Sequence, residues 1–377
     1  MKKVRCLLIL LLCICLSGCG LLTSGSHIFV AEHTSPSTGG SQSVSASNYQ
    51  QFYDALVEIV EVGTAQRIIS VERYDKRLLE SDIAKAADMV CKENPIAAYA
   101  VKEIHCTIGT VNGVDAVSVQ VIYLRDQADI HQIIPVDNMQ QAWTEIGQSL
   151  NTCSAGLVLY VQKYEQMDVA KLLNEHALNN PDQLMEVPQV SVNVYPDYGT
   201  SRVVELKFFY QTSRESLKNM QTQVAPVFRS AALYVSGDAA QEEKFSQLYS
   251  FLMERYEYSI ETSVTPTYSL LRHGVGDCRA FAAVYAAMCH MAGLDCQIVF
   301  GTRNGESWYW NIVRIDGLYF HVDLLAPEGV FVGLDNGQMK QSGYLWNFSA
   351  YPVCGFLPEH DRPVGMPENL YHINLKN

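Results

Sequence analysis

The chain has 377 residues, of which 48% are hydrophobic, and this is enough apolar material for two or three packed domains. Its 40 acidic and 27 basic residues give a formal net charge of -13, which argues against a nucleic-acid-binding surface and gives no attraction to an anionic membrane. The composition fits a soluble, exposed, acidic protein outside the cell.

The N-terminus is typical of a secreted protein. Lys2 and Arg5 precede an apolar run over residues 7–16, which is too short for a good membrane span. The chain then reads Leu-Ser-Gly-Cys, ending at Cys19, and this resembles the bacterial lipobox, in which the cysteine is lipidated. An ordinary signal peptide with a chance cysteine is the alternative. We predict a signal peptide over residues 1–19, with lipid on Cys19 anchoring the extracellular mature protein to the outer face of the cytoplasmic membrane.

Residues 20–47 are rich in serine, threonine and glycine, which predicts a flexible tether without a core. Two α+β modules follow, over residues 48–137 and 138–236. They look like copies, because Asn-Tyr-Gln-Gln at 48–51 reappears as Asn-Met-Gln-Gln at 138–141. Each copy reads as a helix, a short strand, an amphipathic helix and two strands joined by a turn. Chance similarity between two α+β segments is the alternative.

The cysteines do not indicate a disulfide scaffold. Four of the 11 cysteines lie within residues 1–19, which leaves an odd and sparse set of seven. Whether Cys289, Cys296 and Cys354 pair is left open. No Cys-x-x-Cys or His-x-x-x-His spacing indicates zinc, so we predict neither a metal nor a cofactor.

A third domain, predicted over residues 237–377, holds the residues that point to chemistry. Asp277 is a suitable N-cap, and Cys278 would follow it at the first position of a helix. Unpaired backbone N–H groups and the dipole at a helix start favour a thiolate there. After the helix we predict one strand and then a hairpin, which carries Trp308 on its first arm and Asp323 on its second.

At these residues the chain resembles the bacterial transglutaminase-like superfamily. The family pattern is Gly-x-Cys-x-x-x-Ala at a helix start, His-Ala-Trp-Asn opening a strand, and a hydrophobic residue two positions before Asp on the next strand. The matching positions are Gly276, Cys278, Ala282, Trp310, Asn311 and Asp323. The resemblance covers about residues 260–360, and its tail is similar to that of lipoproteins from Gram-positive anaerobes. It implies an α+β fold with a papain-like C-terminal domain after the two modules.

The resemblance assigns Cys278 as the nucleophile and Asp323 as the carboxylate that orients a histidine base. It places Trp308 at the position of that histidine, and an indole has no basic nitrogen that could accept the thiol proton. His321 and His273 are the candidate substitutes. His321 shares a strand face with Asp323, and His273 lies in the loop just before Cys278.

The aromatic run Trp308, Tyr309 and Trp310 has two interpretations, as hydrophobic packing or as a platform that binds a peptide or a sugar ring. The missing base favours a degenerate domain that binds a peptide, protein or glycan at the cell surface or in the envelope. The alternative is an active thiol peptidase, amidase or acyltransferase that uses Cys278 with a relocated histidine. A third interpretation assigns partner binding to the two modules and only packing to the third domain. The oligomeric state is open.

Overall fold

The computed structural model describes residues 44–327 and 333–355. The predicted signal peptide with Cys19 and the tether up to residue 43 lie outside the described residues, as do residues 356–377. Within the described ranges, no helix is long and apolar enough to cross a membrane. Helices and strands are mixed throughout, which confirms the predicted α+β class.

The first module is a four-stranded sheet with helices packed against it. Its elements are β1 (Val44–Ser45), α1 (Tyr49–Val62), β2 (Gln66–Ser70), α2 (Leu79–Glu93), α3 (Pro95–Ala100), β3 (Val101–Val111), β4 (Val114–Tyr123) and α4 (Gln127–His131). The strand order is β1-β2-β4-β3, with β1 parallel to β2 and the other pairs antiparallel. Asn48 begins α1 by accepting the N–H of Gln51 (3.0 Å), and Gly63 ends it in the left-handed conformation that glycine adopts freely.

The second module has the same kind of sheet. Its elements are β5 (Ile134–Asn138), α5 (Met139–Asn151), β6 (Gly156–Lys163), α6 (Val169–Asn179), β7 (Gln189–Tyr195) and β8 (Arg202–Phe209). The strand order is β5-β6-β8-β7, with β5 parallel to β6 and the other pairs antiparallel. Asn138 begins α5 by accepting the N–H of Gln141 (3.1 Å), as Asn48 does for α1.

Both modules contain the predicted succession of helix, strand, helix and hairpin, and each has an additional first strand. These strands move two boundaries. The first module begins at Val44, inside the predicted tether, and the second begins at Ile134 instead of residue 138. Strands β1 and β5 have two and five residues, and such short runs carry little alternation by which a sequence could reveal them. That the modules arose by duplication stays a prediction.

The third module is a four-stranded sheet with its helices ahead of it in the chain. Its helices are α7 (Arg214–Tyr234), α8 (Gln241–Met253), α9 (Pro266–Tyr268), α10 (Cys278–Met291) and α11 (Asn336–Gln341), with a π-helical turn (Ser269–His273) and a 3-10 turn (Phe348–Ala350). Its strands are β9 (Glu257–Tyr258), β10 (Val275–Gly276), β11 (Cys296–Arg303), β12 (Glu306–Ile315), β13 (Leu318–Val322) and β14 (Tyr344–Trp346). The main sheet has the order β13-β12-β11-β14, and all its pairs are antiparallel.

Helix α7, which the prediction places in the second module, packs against helices of the third module. Leu217, Val224 and Phe228 of α7 are buried in the same core as Tyr285 of α10. Their spacing places them on one face of a helix, and that face finds its apolar partners on α8 and α10. Helices α7 and α8 thus support α10, and Cys278 lies at the start of α10.

Gly301 allows β14 to approach β11, because a Cβ at this position would collide with the Leu345 carbonyl and the Trp310 ring. We predict that Gly301→Ala lowers the free energy of unfolding by about 1–3 kcal/mol, the usual cost of overpacking. Gly109→Ala is the matched control, since a Cβ at this other strand position meets no atom within 4 Å, and we expect a change of at most about 0.5 kcal/mol. Urea unfolding followed by circular dichroism measures both, and equal losses would contradict the packing argument.

Candidate thiol site

Cys278 is the first residue of α10, as predicted. The Asp277 side chain caps the helix by accepting the N–H of Ala280 (2.8 Å). The thiol is unpaired and half-buried. Local capping chemistry therefore places a single sulfur at the start of a helix.

The environment of Cys278 favours the thiol and not the predicted thiolate. Burial raises the pKa of Cys278 above its ordinary value, and the Asp277 and Asp323 carboxylates raise it further. The backbone N–H groups of Tyr309 and Arg279 lower this pKa, but they do not outweigh the burial. Sequence reasoning counted the helix start and missed the desolvation and the two carboxylates.

Asp323 follows β13 directly and is only 6% exposed. Its Oδ2 accepts hydrogen bonds from Trp308 Nε1 (2.9 Å), the Tyr344 hydroxyl (2.5 Å) and Arg303 Nη1 (3.4 Å). Its Oδ1 accepts the N–H of Leu325 (2.9 Å). Such a set of donors is what a buried carboxylate needs to offset its lost hydration.

Trp308 contacts Asp323 through its indole N–H. Its indole N–H makes the hydrogen bond that an imidazole N–H would make, but the ring offers no acceptor to a thiol. The Arg303 guanidinium lies over the indole, 5.1 Å from the ring centroid, and the Tyr258 ring lies 5.7 Å from it. The indole is thus held on several sides.

The three aromatic residues of the run do not share one surface. Trp310 has no exposed area and packs edge-on against Tyr344 and Trp346, so the prediction that it belongs to a binding platform is wrong. Tyr309 lies on the opposite side of β12, where its ring contacts Phe300 (centroids 4.9 Å apart) and lines a groove. Successive strand residues face opposite ways, which splits the run between the core and the groove.

Of the two candidate substitutes for the histidine base, His321 is held by hydrogen bonds on both ring nitrogens. Trp310 Nε1 donates to Nδ1 of His321 (3.0 Å), and His321 Nε2 donates to Asn336 Oδ1 (2.9 Å). Both ring nitrogens of this fully buried residue are therefore engaged. His273 is exposed, and its ring packs edge-on against Tyr268 (centroids 5.2 Å apart).

Sequence reasoning missed Tyr258, Arg303 and Tyr344, which surround Trp308 and Asp323. Their place depends on the short pairs β9–β10 and β11–β14, where Arg303 lies opposite Tyr344. The position of Arg303 at the end of a strand was the one sign in the sequence that it could lie near the site. Its partners could not be read from the sequence, because they come from distant parts of the chain.

Cys289, Cys296 and Cys354 are buried free thiols in the structure. Among the described residues, no three His, Cys, Asp or Glu side chains lie close enough together to hold a metal ion.

A family model for the transglutaminase-like superfamily matches residues 229–328. These residues form a transglutaminase-like domain. The match begins inside α7, in agreement with the packing of that helix in the third core. No curated protein matches the chain.

Several solved structures are similar to parts of the chain. A crystal structure of a TGase is 9% identical, with 58% of this chain and 63% of that chain covered and a TM-score of 0.26. A proposed cysteine protease from Cytophaga hutchinsonii is 12% identical, with 39% of this chain and 65% of that chain covered and a TM-score of 0.25. A proposed protease from Parabacteroides distasonis is 9% identical, with 71% of this chain and 44% of that chain covered and a TM-score of 0.22. The chain spans less than two thirds of the length of each of these proteins. Similarity at this level says nothing about activity.

The burial of His321 predicts acid sensitivity of the transglutaminase-like domain. Burial lowers the pKa of His321 to about 4, so the unfolded chain binds this proton more readily than the folded one. The free energy of unfolding should fall, by on the order of 3 kcal/mol, as pH falls from about 6.5 to 4. We predict that His321→Gln removes this part of the pH dependence. Urea unfolding at pH 4 to 7.5 measures it, with the exposed His105→Gln as control, and an unchanged slope in His321→Gln would contradict the assignment.

Proposed function

We propose that the protein is a surface-anchored lipoprotein whose transglutaminase-like domain is degenerate and binds a peptide, protein or glycan outside the cell without triad catalysis. The observation that carries the proposal is the hydrogen bond from the Trp308 indole to the Asp323 carboxylate (2.9 Å). The carboxylate that would orient a histidine is satisfied by a side chain that cannot carry a proton to or from sulfur.

The state of the thiol supports the same proposal. A cysteine nucleophile reacts as the thiolate, which a neighbouring imidazolium normally stabilises. At Cys278 burial and two carboxylates raise the pKa instead. A partly buried neutral thiol is a poor nucleophile.

A working thiol enzyme with a relocated base would need a histidine with a free ring nitrogen at the sulfur. The nitrogens of His321 are bonded to Trp310 and Asn336, and the ring of His273 packs on Tyr268. The hydrogen bonds of His321 argue against it as such a base, and this favours binding over catalysis.

Restoring the histidine tests the proposal for the site. We predict that Trp308→His raises the rate of Cys278 alkylation by iodoacetamide at pH 7 by at least about tenfold, because an imidazole held by Asp323 could accept the thiol proton, and such bases contribute about 10²–10⁴-fold. The rate is measured by mass spectrometry on the peptide that contains Cys278. Trp143→His is the matched control, since Trp143 is also half-buried but lies on α5 of the second module.

Two outcomes would count against the proposed function. Labelling of Cys278 at the same rate in wild type and Trp308→His would show that the indole does not limit the thiol. Hydrolysis or acyl transfer by the wild type that disappears in Cys278→Ala would show that the domain is an active enzyme.

The proposed lipid anchor is tested separately. We predict that the protein made in a Gram-positive host enters the detergent phase on Triton X-114 partition, and that Cys19→Ser moves it to the aqueous phase because the lipid is lost. Cys15→Ser, which changes a cysteine inside the same leader, should leave the partition unchanged. Aqueous partition of the wild type would contradict the anchor.

A further inference from the structure

A groove of about 970 Å³ lies between α6 of the second module and the side of the transglutaminase-like domain that carries α10 and β11. Ligand sites usually have volumes of about 300–1,000 Å³, so the groove is large enough for several sugar units. Neither the family match nor the proposed function assigns this groove a ligand.

The floor of the groove is aromatic. Phe300 is 52% exposed, and its ring lies against that of Tyr309. Tyr351 adds a third ring. The partly positive C–H groups on one face of a sugar ring are attracted to the negative face of an aromatic ring, and the exposed Phe300 ring is available for such a contact.

The rim of the groove is polar and has unused hydrogen-bonding capacity. The side chains of Asn179, Asp295 and Gln297 line it, and none of them hydrogen bonds to another described residue. Together they offer amide donors, amide acceptors and a carboxylate. Sugar hydroxyl groups both donate and accept, and they match such a mixed set.

A peptide fits the groove less well than a glycan. Peptides that bind beside a strand usually add to it as a further strand through main-chain hydrogen bonds. Here two groups on the outer edge of β11 are already bonded, because the Phe300 N–H donates to the Tyr351 hydroxyl (3.2 Å) and the Cys296 carbonyl accepts from His290 Nε2 (2.6 Å). An added strand would have to displace both groups, whereas a sugar ring needs neither edge position.

The charge of the groove argues against an anionic ligand. Lys171 lies near Glu175 (3.8 Å) on the α6 side, and Asp295 lies on the opposite side. Among the described residues that line the groove, no cluster of Lys or Arg side chains could hold a polyanion, and the whole chain carries a net charge of -13.

The groove reaches the residues around Cys278. Arg279 donates to Asn174 of α6 (3.0 Å) and lies over the Tyr309 ring (5.9 Å). The backbone of Tyr309 in turn faces the Cys278 thiol. A ligand in the groove therefore lies next to the vestigial site, on a surface to which the second module contributes.

We propose that this groove binds a neutral oligosaccharide, with a sugar ring stacked on Phe300 and hydroxyl groups bonded to Asn179, Asp295 and Gln297. The inference rests on the proposed binding function and gives it a ligand class and a place.

The test uses the purified full chain on an array of neutral oligosaccharides that includes cellulose-derived and chitin-derived chains, with affinities then measured by isothermal titration calorimetry. We expect binding to at least one oligosaccharide, which Phe300→Ala weakens at least about tenfold through the lost stacking. Asp295→Ala should weaken it at least about threefold through a lost hydrogen bond.

Phe209→Ala is the matched control, because Phe209 is 55% exposed on β8 of the second module, outside the groove. It should change the affinity by less than about twofold. No binding to any oligosaccharide, or equal binding by wild type and Phe300→Ala, would overturn the groove proposal.

The results separate the two proposals. Binding of an extended peptide without any glycan binding would contradict the glycan inference and would still agree with the proposed binding function. Catalysis that depends on Cys278, together with glycan binding that depends on Phe300, would overturn the proposed function and support the glycan inference.

Discussion

The environment of one buried carboxylate determines what the transglutaminase-like domain can do. Asp323 is almost fully buried, and its charge is tolerable only because several donors surround it. Trp308 supplies one of these hydrogen bonds through an indole N–H, so the carboxylate is satisfied whether or not a basic nitrogen occupies that position. An imidazole N–H could satisfy the carboxylate in the same way, but of the two rings only an imidazole could also accept a proton.

The position of Cys278 is fixed by packing and capping contacts that do not involve its thiol. Asn311 Nδ2 donates to the Ala282 carbonyl of α10 (3.0 Å) and approaches the Gln297 carbonyl of β11 (3.4 Å), which ties the helix to the sheet. Asp277 caps the same helix. Because buried side chains and a cap place Cys278, the sulfur keeps its position without any selection for reactivity, and a cysteine at this position is weak evidence for an enzyme.

The sequence was a good guide where the signals are local and a poor one where strands from distant segments meet. The start of α10 at Cys278 could be predicted because a capping residue and helical periodicity are adjacent in the chain. The partners of Asp323 could not, since Tyr344 reaches it through a strand of only three residues. Trp310 was misassigned for a simpler reason: strand alternation already required it to face away from Tyr309.

That alternation also explains how a single strand can serve two purposes. On one side of β12, Trp308 and Trp310 join the buried aromatic cluster that holds Asp323 and His321. On the other side, Tyr309 faces open space that α6 of the second module partly encloses. Under the glycan proposal, the second module is a wall of the binding site and more than a spacer. Under that proposal the Trp308 side chain need not contact the ligand, because Tyr309 faces the groove from the opposite side of the strand.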